Sequence, residues 1–199
     1  NFSGYGLGLF AGDYNGRQFY WHTGGAAGMV SKVCFVPDEK LGIAILTNND
    51  NQNFFEALRY QILDAYLGVA YRDRSQMMWP GFQREMQDQL KEISQWKNRV
   101  KGTTPPLDWK AYTGQYSNEL YGNITVTQKD AQLIVHFEHH PQMTATLQYM
   151  DNNEWLMEYS NIEYGIFSTN FSAGKNKVQS LRIPMNPFVE LDAYTFVKQ

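Results

Sequence analysis

Three textures of apolar and polar positions follow one another along this chain. Residues 5–48 carry short apolar runs separated by glycine and asparagine, the pattern of strands. Tyr5-Gly-Leu-Gly-Leu-Phe10 leads through a turn at Gly12-Asp-Tyr-Asn-Gly16 into Arg17-Gln-Phe-Tyr-Trp21. Met29 to Val36, a turn at Pro37-Asp38 and Leu41-Gly-Ile-Ala-Ile-Leu46 complete the region. The runs at 17–21 and 41–46 are short and apolar, which predicts strands covered on both faces.

A polar cluster, Asn48 to Asn53, then breaks the pattern. Asn53 is placed to cap a helix, with Glu56 returning a bond to the cap from the third helical position. Phe54, Leu58, Ile62 and Ala65 recur at helical spacing, and Gly68 ends the helix. Its apolar stripe is expected against one face of the preceding sheet. A second helix is predicted over 81–101, with Phe82, Met86, Leu90, Ile93, Trp96 and Val100 on one stripe. Gly102-Thr-Thr-Pro-Pro106 closes it, since paired prolines cannot continue a helix. From Trp109 onward short strands are expected near 111–116, 121–128, 131–138, 143–150, 153–159, 163–171, 176–184 and 188–198. Turn signals at Lys129-Asp130, Asp151-Asn-Asn153 and Ser172-Ala-Gly-Lys-Asn176 separate them. So many short strands in succession predict a small antiparallel barrel or sandwich.

Composition narrows the partners. Lys+Arg 17 against Asp+Glu 20 leaves a net charge of −3, and no basic run appears. Nucleic acid is therefore not expected as a partner, and electrostatic membrane binding has no basis. No apolar run is long enough for a membrane span, and no signal peptide is visible. The start at Asn1, directly before strand-like residues, reads as a cut within a longer polypeptide. Cys34, the single cysteine, lies in Val33-Cys34-Phe35-Val36 and reads as a buried thiol with no base beside it in sequence.

Candidate chemistry concentrates in Trp21-His22-Thr23-Gly24-Gly25-Ala26-Ala27-Gly28. A basic side chain, a hydroxyl and then glycines suit an edge strand facing an acyl-transfer site. His22 would orient a substrate or support proton transfer, Thr23 would hold a carboxylate, and the Gly25 amide would face a developing oxyanion. A glycine-rich bulge whose histidine merely satisfies its neighbours fits the same spacing. His136, Glu138 and His140 share alternate spacing that could suit a metal, but Pro141 points to the end of a hairpin, so no metal or cofactor is expected. No pair of carboxylates stands out as a glycosidase or nuclease site.

The ordered set Tyr5-Gly-Leu-Gly-Leu-Phe, His22-Thr23-Gly24-Gly25-Ala-Ala-Gly28, Ser31, Pro37, Gly42 and Ile45-Leu46-Thr47-Asn48 resembles the end of the catalytic domain of serine β-lactamase-like proteins. That family includes class C β-lactamases, penicillin-binding-protein-related esterases and D-aminopeptidases. His22-Thr23-Gly24 matches its Lys/His-x-Gly box, so the resemblance implies catalytic-site roles for His22, Thr23 and Gly25. Residues 105–199 resemble the lipocalin-like appendage fused to such enzymes, through Tyr112-Thr-Gly-Gln-Tyr116, Tyr121-Gly122 and Ile124-Val126. The implied fold is α+β: antiparallel strands plus the carboxy-terminal helix of a β-lactamase-like domain (1–73), a helical linker (74–104) and an eight-stranded lipocalin-like barrel (105–199).

The family's Ser-x-x-Lys nucleophile and Tyr-x-Asn motif do not precede His22 in this sequence. Ser94-Gln-Trp-Lys97 fits the first, and Tyr116-Ser-Asn118, Tyr121-Gly-Asn123 and Tyr159-Ser-Asn161 fit the second, but all lie after the His box. The expectation is the carboxy-terminal part of a serine hydrolase, inactive alone, whose parent takes a small acyl or peptide substrate outside the bacterial cytoplasm. A different class of function also stands: a binding module whose barrel holds a small hydrophobic ligand or docks on a catalytic domain. Strands parted from their natural neighbours expose edges and apolar faces, so homo-oligomers are expected.

Overall fold

The computed structural model describes residues 2–26, 28–50, 52–102, 104–174, 177–187 and 190–199. Asn1 at the expected cut, Ala27 of the glycine-rich passage, Asn51 of the polar cluster and Thr103 of the expected boundary lie outside the described residues. So do Lys175 and Asn176 of the last turn, and Phe188 and Val189 at the head of the last expected strand. The chain forms two units, Asn1–Asp88 and Gln89–Gln199.

The first unit is a five-stranded antiparallel meander, β1 (Ser3–Gly6), β2 (Leu9–Tyr14), β3 (Arg17–Ala26), β4 (Met29–Val36) and β5 (Leu41–Thr47), in that spatial order. The apolar run at 5–10, expected as one strand, is broken by a hairpin turn. Leu7 and Gly8 sit at φ 53° and 80°, the left-handed pair that a two-residue hairpin requires. Asn15 and Gly16, at 47° and 75°, make the next one, so the expected turn at 12–16 shrinks to two residues and Gly12 to Tyr14 stay in β2. Gly12 has a packing reason to be glycine: a Cβ there would meet the Trp21 and Phe19 rings at 3.2–3.3 Å.

Helix α1 (Phe54–Tyr66) packs on one face of this sheet, over Phe19, Cys34, Val36, Ile43 and Ile45. The expectation of strands covered on both faces is therefore corrected among the described residues. β5 alternates buried Ile43 and Ile45 with exposed Ala44 and Leu46, the latter 83% exposed. The start of α1 also differs from the capping box expected at Asn53 and Glu56. Asn53 makes no side-chain cap. Instead Gln52 Oε1 accepts the amides of Phe54 (2.5 Å) and Phe55 (3.3 Å), while its Nε2 donates to Thr47 Oγ1 at 3.0 Å. Glu56 is drawn to two cations, a stronger attraction than a neutral backbone amide offers. Gly68, at φ 66°, ends the helix as expected, with the Val69 amide donating to Asp64 O at 2.9 Å.

Helix α2 (Arg74–Arg99) starts earlier than its expected 81. Asp73 Oδ1 accepts the Gln76 amide at 2.9 Å, and Pro80 is carried within the helix. Arg74 anchors that first turn by forking onto the buried Asp64 carboxylate at 2.6 and 2.9 Å and reaching the Tyr14 hydroxyl. Burial alone would raise the Asp64 carboxyl, but the Arg74 and Tyr14 hydrogen bonds outweigh it and hold the group below the ordinary aspartate value. Along the expected stripe Phe82, Met86, Ile93 and Trp96 are half-buried, whereas Leu90 is exposed.

The second unit is a closed barrel of eight antiparallel strands: β6 (Gly114–Asn118), β7 (Gly122–Lys129), β8 (Gln132–Phe137), β9 (His140–Tyr149), β10 (Glu154–Tyr159), β11 (Ile166–Gly174), β12 (Lys177–Ile183) and β13 (Tyr194–Lys198). Each pairs with the next, and β13 closes on β6 through Val197↔Ser117 and Lys198↔Tyr116. Inward positions follow the two-residue period, as in Ile124 and Val126 or Leu133 and Val135. The period slips between Val178 and Leu181, where the β11–β12 register shifts at Ser172/Ala173. Three expected strands are shortened. The first begins as a short helix, α3 (Trp109–Tyr112), because Asp108 caps it at the Lys110 amide, 2.9 Å. A 3-10 turn at Ile162–Tyr164 precedes β11, and β13 begins only at Tyr194.

The barrel interior is filled with large side chains. Trp155, 0% exposed, takes edge-on contacts from Tyr112 (5.0 Å), Tyr149 (5.3 Å) and Phe171 (5.3 Å), with Trp109 at 5.8 Å. Tyr116 donates to Tyr112 O at 2.6 Å and Tyr159 to Pro184 O at 2.8 Å. Burial pushes Tyr112, Tyr116 and Tyr159 above the ordinary tyrosine value. A raised folded-state value means the unfolded chain loses these protons first, so their contribution is full below the unfolded value and is lost as pH rises above it. The barrel is expected to lose thermal stability steadily once pH passes about 10, read as falling melting temperature together with tyrosinate absorbance. A melting temperature flat through that range would contradict it.

Candidate functional site

The His22 stretch lies on β3, which is central in the sheet by order, yet its last residues form an edge. Pairing with β2 ends at Phe10↔Trp21, while pairing with β4 continues from His22↔Val33 to Ala26↔Met29. The expectation of an edge strand therefore holds for His22 to Ala26 alone. Two hairpins fix which backbone groups face that open side. Tyr14↔Arg17 and Ala26↔Met29 each close a two-residue loop, and such closing pairs exchange both of their hydrogen bonds. Counting from either end, odd residues of β3 direct their N–H and C=O toward β2 and even residues toward β4. Thr23 and Gly25 thus present amides and carbonyls to the unpaired side, while Gly24 is committed to β4.

Side chains alternate across the sheet. Thr23 stands opposite Lys32 on the face covered by α1, and Gly24 opposite Ser31 on the other. Ser31 Oγ donates to Gly24 O at 3.3 Å and fills the place of a Cβ there, 2.9 Å from where one would stand. His22 Nε2 lies 3.4 Å from the Tyr5 hydroxyl, and the Phe10 ring stacks near His22 (5.9 Å) and Trp21 (5.6 Å). Tyr5, which stands beside His22 here, was not singled out as a site residue by the sequence.

A buried ionic cluster lies on the α1 side of this strand end. Lys32, 5% exposed, pairs with Glu56, which also pairs with Arg59, 1% exposed. Arg59 lies between aromatic faces, 4.3 Å from the Tyr60 ring, 5.0 Å from Trp21 and 5.2 Å from Phe19, and its Nε and Nη1 find no hydrogen-bond acceptor among the described residues. Burial pushes the Lys32 amine below the ordinary lysine value, with Arg59 adding to the effect and the Glu56 bond opposing it. The signal for Lys32 was in the sequence: it alternates with Val30, Cys34 and Val36, the buried side of β4. Cys34 is buried beside them, and its thiol is pushed up by burial.

The remaining candidate motifs lie in the second unit. Ser94 is exposed on α2, and Lys97 lies 3.7 Å from Glu158. The hydroxyls of Tyr116 and Tyr159 are spent on carbonyls inside the barrel. In the β8–β9 hairpin His136 Nε2 lies 3.2 Å from Thr127 Oγ1, and Glu138 accepts the Asn123 amide at 2.9 Å. Among the described residues no three His, Cys, Asp or Glu side chains gather as metal ligands, and no helix is long and apolar enough to cross a membrane.

A model of the family described as Beta-lactamase matches residues 1–67, the stretch holding β1 to β5 and α1, and that stretch is β-lactamase-related. A model of the family described as Domain of unknown function (DUF3471) matches residues 98–198, more than half of the chain. The chain belongs to the DUF3471 family. The DUF3471 stretch holds all eight strands of the barrel. No curated protein matches the chain. Among solved structures it is similar to SurE with D-Leu at 17% identity and a TM-score of 0.35, covering 98% of this chain and 39% of that one. The octameric penicillin-binding protein homologue from Pyrococcus abyssi matches at 16% identity and a TM-score of 0.32, covering 98% of this chain and 37% of that one. The chain thus spans well under half the length of the solved structures it matches.

Proposed function

We propose that residues 1–67 supply one wall of a serine acyl-transfer site acting on amide or ester carbonyls, D-amino-acid peptides among them. The observation that carries this reading is the open edge at Thr23 and Gly25 within a β-lactamase-related stretch. The Gly25 amide would donate to the carbonyl oxygen as it becomes an oxyanion, a position where a donor counts most in the transition state. The Thr23 hydroxyl, on the α1 side of the open edge, would bond a substrate carboxylate reaching over that edge, and His22, on the opposite face beside the Tyr5 hydroxyl, would orient the substrate or pass a proton. The serine hydroxyl would come from a Ser-x-x-Lys outside these residues. Its oxygen attacks the carbonyl carbon, its proton passes to lysine or to the tyrosine of a Tyr-x-Asn, and that proton then leaves with the departing amine or alcohol. Water releases the acyl group in a second step.

On this reading the chain alone turns over no substrate, and the coding sequence upstream of Asn1 contains Ser-x-x-Lys followed by Tyr-x-Asn. A chromogenic cephalosporin and a nitrophenyl ester are the probes for the purified chain. Hydrolysis that disappears on Ser94→Ala, or an upstream sequence lacking both motifs, would sink the proposal. For the barrel, its densely filled interior favours docking over carriage of a small hydrophobic ligand.

A further inference from the structure

In an up-and-down barrel alternate connections lie at the same end, so the β6–β7, β10–β11 and β12–β13 loops share one rim. Among the described residues each of these loops carries one aliphatic side chain held out in solvent: Leu120 at 71% exposure, Ile162 at 91% and Leu191 at 84%. Singly such residues mean little. Here, however, hydrogen bonds tie the three loops into one assembly. The Asn186 amide donates to Tyr164 O at 3.0 Å and its Nδ2 to Glu163 O at 2.8 Å. The Glu190 amide donates to Asn186 O at 3.0 Å, and the Tyr121 hydroxyl to Glu190 Oε2 at 2.9 Å. Tyr121 also meets Tyr194 edge to face at 4.6 Å. The aliphatic tips are therefore presented on a braced rim, which lowers the ordering cost of any contact made there.

The charge beside the tips has one sign. Glu119 precedes Leu120, Glu163 follows Ile162, and Glu190 and Asp192 flank Leu191, while the three loops contain no lysine or arginine. We propose that this rim is a docking surface for a basic peptide segment bearing aliphatic side chains. Its carboxylates attract the lysines or arginines of that segment, and the aliphatic tips bury against its apolar side chains. Nucleic acid and anionic membranes are repelled by the same charges. Nothing in this inference depends on the acyl-transfer reading of the first unit.

The test uses the 199-residue chain and a fluorescein-labelled acetyl-Lys-Leu-Lys-Leu-Lys-amide, followed by anisotropy at low salt. Binding is expected, weakened by added salt as exposed charge pairs are screened. The analogue with glutamate in place of lysine should not bind, a comparison that needs no variant protein. Glu119→Gln with Glu163→Gln and Asp192→Asn, and separately Leu120→Ser with Ile162→Ser and Leu191→Ser, should each weaken binding about tenfold or more. Near-ultraviolet circular dichroism checks that both variants keep the barrel. No binding of the basic peptide, equal binding of the acidic analogue, unchanged binding by both folded variants, or binding of phosphatidylcholine vesicles in place of the peptide would each overturn the proposal.

Discussion

Trp155→Ala is expected to destabilise the barrel by about 3–5 kcal/mol, the range for deleting a large aromatic side chain from a packed core. Trp155 is fully buried and is the hub on which Tyr112, Tyr149, Trp109 and Phe171 converge. Two of those rings belong to α3, so the void would also loosen the helix against the barrel. Trp155→Phe sharpens the test. The indole Nε1 has no hydrogen-bond acceptor among the described residues, and a buried donor without a partner costs free energy that phenylalanine does not incur. Phenylalanine should therefore cost clearly less than alanine, beyond its larger volume. Denaturant unfolding followed by near-ultraviolet circular dichroism gives both values. An alanine variant within about 0.5 kcal/mol of the parent, the size of an ordinary surface change, would mean that the core does not close around Trp155.

The barrel was the most legible part of the chain, and the reason is local. Leu181 and Ile183 alternate with the polar Ser180 and Arg182, and Asp130, Asn152 and Asn153 take positive φ at turns that the sequence marked. A period of two reports on nearest neighbours, so it survives without knowledge of the rest of the fold. It failed at 111–112, where a helix capped by Asp108 takes up residues expected to open the first strand. It failed again at 5–10, because Leu7 carries no mark of the left-handed conformation it adopts.

The geometry of the His22 stretch was not legible in the sequence. The order His22, Thr23, Gly24, Gly25 suggested an edge strand, but which amides face outward depends on the registers of both flanking hairpins. The place of Glu56 was misread for a related reason. Its spacing from Asn53 fits a capping box, yet helix spacing cannot register a lysine that arrives from β4. Long-range charge overrode local capping.

Glu56→Gln is accordingly the change with the largest expected effect in the first unit. It leaves Lys32 and Arg59, both nearly inaccessible, without the one carboxylate they share. Removing one partner of a buried ionic group costs about 3–5 kcal/mol, because the remaining charge keeps its desolvation penalty. Two consequences separate this account from a simple loss of packing. Lys32→Met added to Glu56→Gln should recover part of the loss, since one of the stranded cations is gone; independent sites would add instead. The single variant should also gain stability as pH rises. With the amine already below its ordinary value through burial, removal of the carboxylate lowers it further. The unfolded chain then binds more protons than the folded one, and the deficit narrows toward the ordinary lysine value, about 10.4. Thermal unfolding of the 199-residue chain across that range, for parent, single and double variants, measures all three effects. Strict additivity with a pH-independent deficit would show that the cluster is not electrostatically coupled.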